Sequence, residues 1–140
     1  MSLTNESIVY GCITDTSDLI DAQRREHNRN ALAHLPAAEH FQFLNREMFA
    51  VPDFQQPKGN FLTEVVHFGS SYEGVEYEWD NWVAQFETLL TQMYWTSAVV
   101  HLETELRGTH SFVWTPDGDF HKPGDPNIRV QCEWTHEASY

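Results

Sequence analysis

The sequence predicts an α+β fold: an antiparallel sheet with helices packed on one face, in the order β-α-(α)-β-α-β-β-β, forming a single domain over residues 1–140. Three stretches carry this expectation. Residues 99–114, VVHLETELRGTHSFVW, alternate apolar and polar side chains, break at Arg107-Gly108 and alternate again, the period of strands with one buried face. Residues 128–137, IRVQCEWTHE, alternate in the same way. Ahead of both, residues 77–94 place Trp79, Trp82, Val83, Phe86, Leu89, Leu90 and Met93 at steps of three and four, which gathers them on one side of a helix. Antiparallel strands wet on one face need an apolar cover on the other, and this helix supplies it.

Taken in order, Ile8–Ile13 (IVYGCI) is rich in strand formers and stops at Thr14-Asp15-Thr16, so it reads as a buried strand. Ser17 or Asp18 offers an oxygen to cap a helix through Leu19, Ile20, Ala22 and Ala31 to about His34. Arg24, Arg25 and Arg29 fall late enough in that stretch to complement its dipole. Pro36, followed by Ala37, Ala38 and Glu39, opens a second short helix with Phe41, Leu44 and Met48 on one side, although Phe41 and Phe43 also alternate as in a strand. Residues 51–60, VPDFQQPKGN, make a loop. Residues 61–69, FLTEVVHFG, return to strand, with Phe61, Val65 and His67 facing one way and Leu62, Glu64, Val66 and Phe68 the other; both rows are mixed, so alternation does not say which is buried. Gly69-Ser70-Ser71 and Gly74 separate this strand from the Trp-rich helix.

The hairpin that follows takes a three-residue loop, Leu106-Arg107-Gly108, with Gly108 left-handed. Counting back pairs Val100 with Trp114, Leu102 with Phe112 and Thr104 with His110 on the apolar face, and His101 with Val113, Glu103 with Ser111 and Glu105 with Thr109 on the polar one. A two-residue loop would mix the faces. Residues 115–127, TPDGDFHKPGDPN, form a long loop, and the last strand sends Ile128, Val130, Cys132 and Trp134 one way and Arg129, Gln131, Glu133 and Thr135 the other.

Composition narrows the function classes. Apolar residues at 41% and aromatics at 14% are ample for a folded core. Eight Lys and Arg against 21 Asp and Glu give a net charge of −13. Residues 1–50 hold seven acids and four bases, residues 51–140 fourteen and four. Such a field repels phosphate backbones and anionic membranes and attracts basic partners. Cys12 and Cys132 are too few and too far apart in sequence for a disulfide framework. Each lies in an apolar stretch, where a thiol usually acts as a small core residue, and they would meet only if the first and last strands were neighbours. The start, MSLTNESIVYG, lacks the basic and apolar runs of a secretory signal, and no apolar stretch reaches the ~20 residues of a membrane span. A cytoplasmic protein is expected.

Motifs for chemistry are sparse. The eight histidines include no HxxxH, HExxH or HxH pair, so no metal is expected; His101 with Glu103, and His27 with His34, come closest. Asp117, Asp119 and Asp125 lack the order of a calcium loop and suit turns instead. GxSxG, GxxxxGK and GxGxxG are all missing, and no cofactor is expected. An acid-base pocket from His67, Asp80 and His110 would leave no local signature.

What stands out is acid. Glu73, Glu76, Glu78 and Asp80 lead into the aromatic helix beside Tyr77 and Trp79, and Glu103, Glu105 and Glu133 project with His101 from the polar sheet face. Only Arg107 and Arg129 answer them nearby. Acids in a first helical turn offset its dipole, but the strand glutamates point to a concentrated negative patch with aromatic anchors, the composition of a partner-binding surface. In size and charge the chain resembles bacterial immunity proteins, which neutralise nuclease or other toxins by mimicking the charge of their substrate; the likeness rests on no motif. It implies a small acidic module that occludes a basic toxin or enzyme. The alternative is a cone-shaped α+β enzyme or small-molecule binder with a pocket between sheet and helices. The polar sheet face would also serve as a homodimer surface.

Overall fold

A computed structural model describes residues 6–16, 22–37, 43–51, 63–105 and 107–135. Its strands are β1 (Glu6–Thr16), β2 (Phe49–Ala50), β3 (Thr63–Glu73), β4 (Ser97–Thr104), β5 (Gly108–Pro116) and β6 (Ile128–Thr135), and its helices are α1 (Ala22–Ala33) and α2 (Trp79–Thr91). Short 3-10 turns at Arg46–Met48 and Val75–Glu78 lead into β2 and α2. The strands form one antiparallel sheet in the order β2-β3-β1-β4-β5-β6, so the α+β class holds. The first strand is the central one, flanked by β3 and β4.

Alternation decides which face is dry. Val9 and Ile13 of β1, Val66 and Phe68 of β3, Ala98, Val100 and Leu102 of β4 and Trp114 of β5 are buried with Trp82, Phe86, Leu89 and Leu90 of α2 and Leu32 of α1. The aromatic ridge of α2 is continuous: Trp79 stacks on Trp82 at 4.9 Å and Trp82 on Phe86 at 5.2 Å, and Phe86 meets Trp114 edge-on at 5.0 Å. Buried indoles need a polar partner for their N–H. Trp82 donates to the Tyr72 hydroxyl at 3.1 Å, Trp95 to the Leu90 carbonyl at 2.9 Å and Trp114 to the Glu87 carboxylate at 2.8 Å.

The β4–β5 hairpin differs in register by two residues from the expected one. Ala98 faces Trp114, Val100 faces Phe112, Leu102 faces His110 and Thr104 faces Gly108. The turn closes one pair earlier because the Thr104 hydroxyl accepts the Arg107 N–H at 3.1 Å, while Gly108 takes φ 75°, the left-handed conformation expected of it. A two-residue shift leaves every side chain on its own face, so the rows stand and the partners change. His101 faces Ser111, Glu103 faces Thr109, and Glu105 sits in the turn. Leu106 lies outside the described residues.

Elsewhere tertiary contacts override local preference. Ser17, Asp18, Leu19 and Ile20 lie outside the described residues, and helix α1 from Ala22 has no acid in its first turn and no base in its last. Arg24, near the positive end of its own helix, pairs with Asp15 at the end of β1 and covers the Tyr94 and Phe120 rings at 5.1 and 4.3 Å; that ion pair replaces the expected dipole match. The second helix is not formed in its described part. Phe41 lies outside that part, while the Asn45 side chain accepts the Met48 N–H at 3.0 Å and diverts the chain into a single 3-10 turn. Leu44 and Met48 are buried all the same. Phe61, Leu62 and most of the 51–60 loop lie outside the described residues. β3 runs on through Gly69-Ser70-Ser71, where a break was expected, because β1 pairs with it as far as Glu73; the turn comes at Gly74, with φ 65°.

Neither thiol is in the core. Cys12 lies half-buried on the wet face, Cys132 is exposed, and β4 and β5 separate their strands. Val130 is likewise 46% exposed, because β6 lies at the edge beyond the cover of α2.

Candidate functional site: an acidic end of the sheet

Antiparallel pairing on both sides of β1 brings the start of β1 beside the ends of β3 and β4. Glu6 lies opposite Glu73, Ser7 opposite both Tyr72 and Thr104, and Ile8 opposite Glu103. Past Glu73 the chain turns at Gly74, and the buried Ser7 hydroxyl donates to the Glu76 carboxylate, which pins the 3-10 turn against this end. Tyr77 projects from that turn at 68% exposure, and Glu78 and Asp80 stand exposed at the start of α2. Glu105 is exposed in the β4–β5 turn. Glu6, Glu73, Glu76, Glu78, Asp80, Glu103 and Glu105 thus gather at one end from five separate segments.

Among the described residues, Arg107 lies in that turn and Arg46 precedes β2. Arg24, Arg25 and Arg29 sit on α1, and Lys122 and Arg129 lie by the opposite end of the strands, where His121 bridges to Trp95 and Arg129 faces Thr115. Acids stand at that opposite end too, where Asp15 faces Glu64 and Asp117 pairs with Arg129. The carboxylate cluster at the first end attracts an approaching cation before contact.

The wet face adjoins this end. Tyr10, His101, Ser111 and Glu133 lie in one cross-strand row. The Tyr10 hydroxyl donates to Glu103 at 2.9 Å, and its ring lies 5.0 Å from that of His101. Burial raises the Tyr10 pKa, and the hydrogen bond and charge of Glu103 add to it, so this hydroxyl stays a donor. Instead of meeting Glu103, His101 shares a hydrogen bond with the Ser111 hydroxyl at 2.8 Å. Trp79 turns inward onto Trp82 and Phe112 rather than outward beside Tyr77. Glu6 and Tyr10 carried no sequence signal; only the register of β1 places them here.

His67 shares the wet face with Cys12 and Val99, whereas His110 shares the covered face with Leu102 and Val9, so His67, Asp80 and His110 do not converge. Burial lowers the His110 pKa, with Arg107 adding to the effect. Two open grooves flank α2, of about 280 Å³ beside Leu35, Leu44 and Leu89 and about 550 Å³ beside His27, His34 and Pro123. The ring nitrogens there face main-chain carbonyls, His27 on Gln92 at 2.9 Å and His34 on Asn30 at 2.6 Å. Among the described residues no three His, Cys, Asp or Glu side chains could hold a metal ion. Asp125 accepts the Asn127 N–H at 2.9 Å, as turn chemistry leads one to expect, while Asp117 instead pairs with Arg129 at 2.7 Å.

Glu64, opposite Asp15 at the far end of the covered face, is 1% exposed. Burial raises its pKa against the opposing pull of Arg25, the Asn28 amide and Arg29. A carboxyl whose pKa rises on folding favours the folded state fully below its unfolded pKa, and that support is lost as pH rises through the folded value. Glu64→Gln is therefore expected to raise the melting temperature at pH ~8, with the gain shrinking towards pH ~4. Thermal melts across that range check it; a gain that grows on acidification contradicts the burial argument.

Compared with known proteins, the chain matches no family model, no curated protein and no solved structure. No helix among the described residues is long and apolar enough to cross a membrane.

Proposed function

We propose that this protein is a small acidic binding module that docks a basic protein on the acidic end of its sheet and occludes it, in the manner of an antitoxin-like immunity protein acting in the cytoplasm. The observation that carries the reading is the convergence of seven carboxylates from β1, β3, the 3-10 turn, α2 and the β4–β5 hairpin at one end of the sheet, with the exposed Tyr77 in the same turn. Complementary charge speeds encounter and excludes acidic competitors, and an exposed aromatic supplies the anchor that charge alone does not. Two further features favour it over an enclosed pocket. The aromatic core is filled by fully buried Trp82, Phe86, Trp95 and Trp114, and the two grooves described lack a convergent acid-base set.

The test compares two doubly charge-reversed variants of equal net charge. Glu73→Lys with Glu105→Lys alters the acidic end; Glu26→Lys with Asp119→Lys alters exposed sites elsewhere. Against a basic protein captured from the cell of origin, the first pair is expected to lose on the order of 100-fold in affinity and the salt dependence with it, the second little. Equal losses in both variants, or none in the first, overturn the proposal.

A further inference from the structure

We propose that β6 is a self-complementary edge through which two copies of the chain pair antiparallel about a two-fold axis at Gln131, doubling the sheet. The two sheet edges are unlike. β2 has two residues, a length that cannot template another strand. β6 pairs with β5 along all eight residues without a bulge, from Thr109 opposite Thr135 to Pro116 opposite Ile128, and among the described residues no strand lies on its other side. Arg129, Val130, Gln131, Cys132 and Glu133 are all exposed. Neither a proline nor a lysine interrupts the strand, and its two exposed charges, Arg129 and Glu133, are of opposite sign, so they guard the edge against other strands but not against its own copy.

The edge also has an unmet apolar need. Val130 and Cys132 face the same way as their partners Trp114 and Phe112, yet the cover of α2 ends before them. A second β6 laid alongside would meet that row with its own.

Charge selects the register. Pairing about Gln131 puts Arg129 opposite Glu133 of the second copy, twice by symmetry, and Val130 opposite Cys132 of the second copy, also twice. Centring on Cys132 would set Arg129 against Thr135, and centring on Val130 would set it against Gln131; both discard the two ion pairs. Arg129 now reaches Asp117 at 2.7 Å in an exposed pair, a contact worth little on its own and so readily given up. Antiparallel pairing further sends the two acidic ends to opposite extremes of the doubled sheet, which limits repulsion between chains of charge −13. The contact is isologous, uses main-chain hydrogen bonds for affinity, and leaves both acidic ends and both wet faces free.

Sedimentation at ~0.1 mM, a concentration that populates a contact of about micromolar affinity, is expected to give about twice the 16.3 kDa chain mass. Arg129→Glu and Glu133→Arg should each weaken the dimer about tenfold or more, and the double swap should restore it. Directly opposed side chains lie ~5 Å apart between Cβ atoms, so oxidised Val130→Cys should form a covalent dimer that Cys132→Ser abolishes. A monomeric wild type, single reversals that leave the dimer intact, or a cross-link indifferent to Cys132→Ser overturns the proposal. Circular dichroism of each variant separates loss of pairing from loss of fold.

Discussion

Trp82→Ala is expected to cost about 3–5 kcal/mol, the range for removing a large aromatic from a packed core. The side chain is fully buried, stacked between Trp79 and Phe86, with Phe68 beneath it. Its N–H donates to the Tyr72 hydroxyl, which in turn donates to the Phe43 carbonyl at 2.6 Å. Alanine therefore opens a cavity in the contact between α2 and β3 and removes one link of a chain that reaches the segment before β2. Against the ~5–15 kcal/mol that holds a domain folded, such a loss leaves little. Urea unfolding followed by circular dichroism measures it, and Trp82→Phe should recover part by refilling volume without the hydrogen bond. A loss under ~1 kcal/mol, typical of surface changes, would mean that α2 does not bury this face.

Gly11→Ala should be comparably damaging for the opposite reason. Gly11 lies on the covered face of β1 between Phe68 and Val100, and a Cβ placed there would stand 1.9 Å from the Val99 carbonyl oxygen, 2.9 Å from its carbon and 3.0 Å from the Val100 Cα. All three are main-chain atoms of β4, so no side chain can swing away. Added atoms in a packed interior typically cost ~1–3 kcal/mol where neighbours adjust, and here the adjustment must separate two hydrogen-bonded strands. Amide exchange would show it as lost protection in β1 and β4, with β5–β6 much less affected. Unchanged protection would show that the strands accommodate a methyl.

Three kinds of information set how far the sequence could be read. Periodicity carries burial, and so the rows of β4 and β5 and the face of α2 were legible; on β3 alternation grouped Glu64, Val66 and Phe68, but both rows are mixed and only the packing shows that theirs is the buried one. Local competition was legible less well. Thr104 shifted the hairpin by two residues and Asn45 stopped a helix, each with one side-chain hydrogen bond that propensity does not rank. Strand order was not legible at all, because nothing within β1 states that it will lie between β3 and β4. The acidic end inherits that division. Glu73, Glu76, Glu78, Asp80, Glu103 and Glu105 were visible as acids and Tyr77 as an aromatic among them; Glu6 and Tyr10 joined only through register. Trp79 looked like a free anchor because the edge of a helical apolar stripe is ambiguous, and a 4.9 Å stack decides it.

The central position of β1 bears on how the chain is made. Its neighbours come from residues 63–73 and 97–104, so the strand leaves the ribosome before either partner and waits for both to be synthesised. Such distant pairings slow folding. Until β4 has emerged, the IVYGCI segment is a bare, sticky ribbon, and chaperone capture of stalled nascent chains should peak before that point and fall after it.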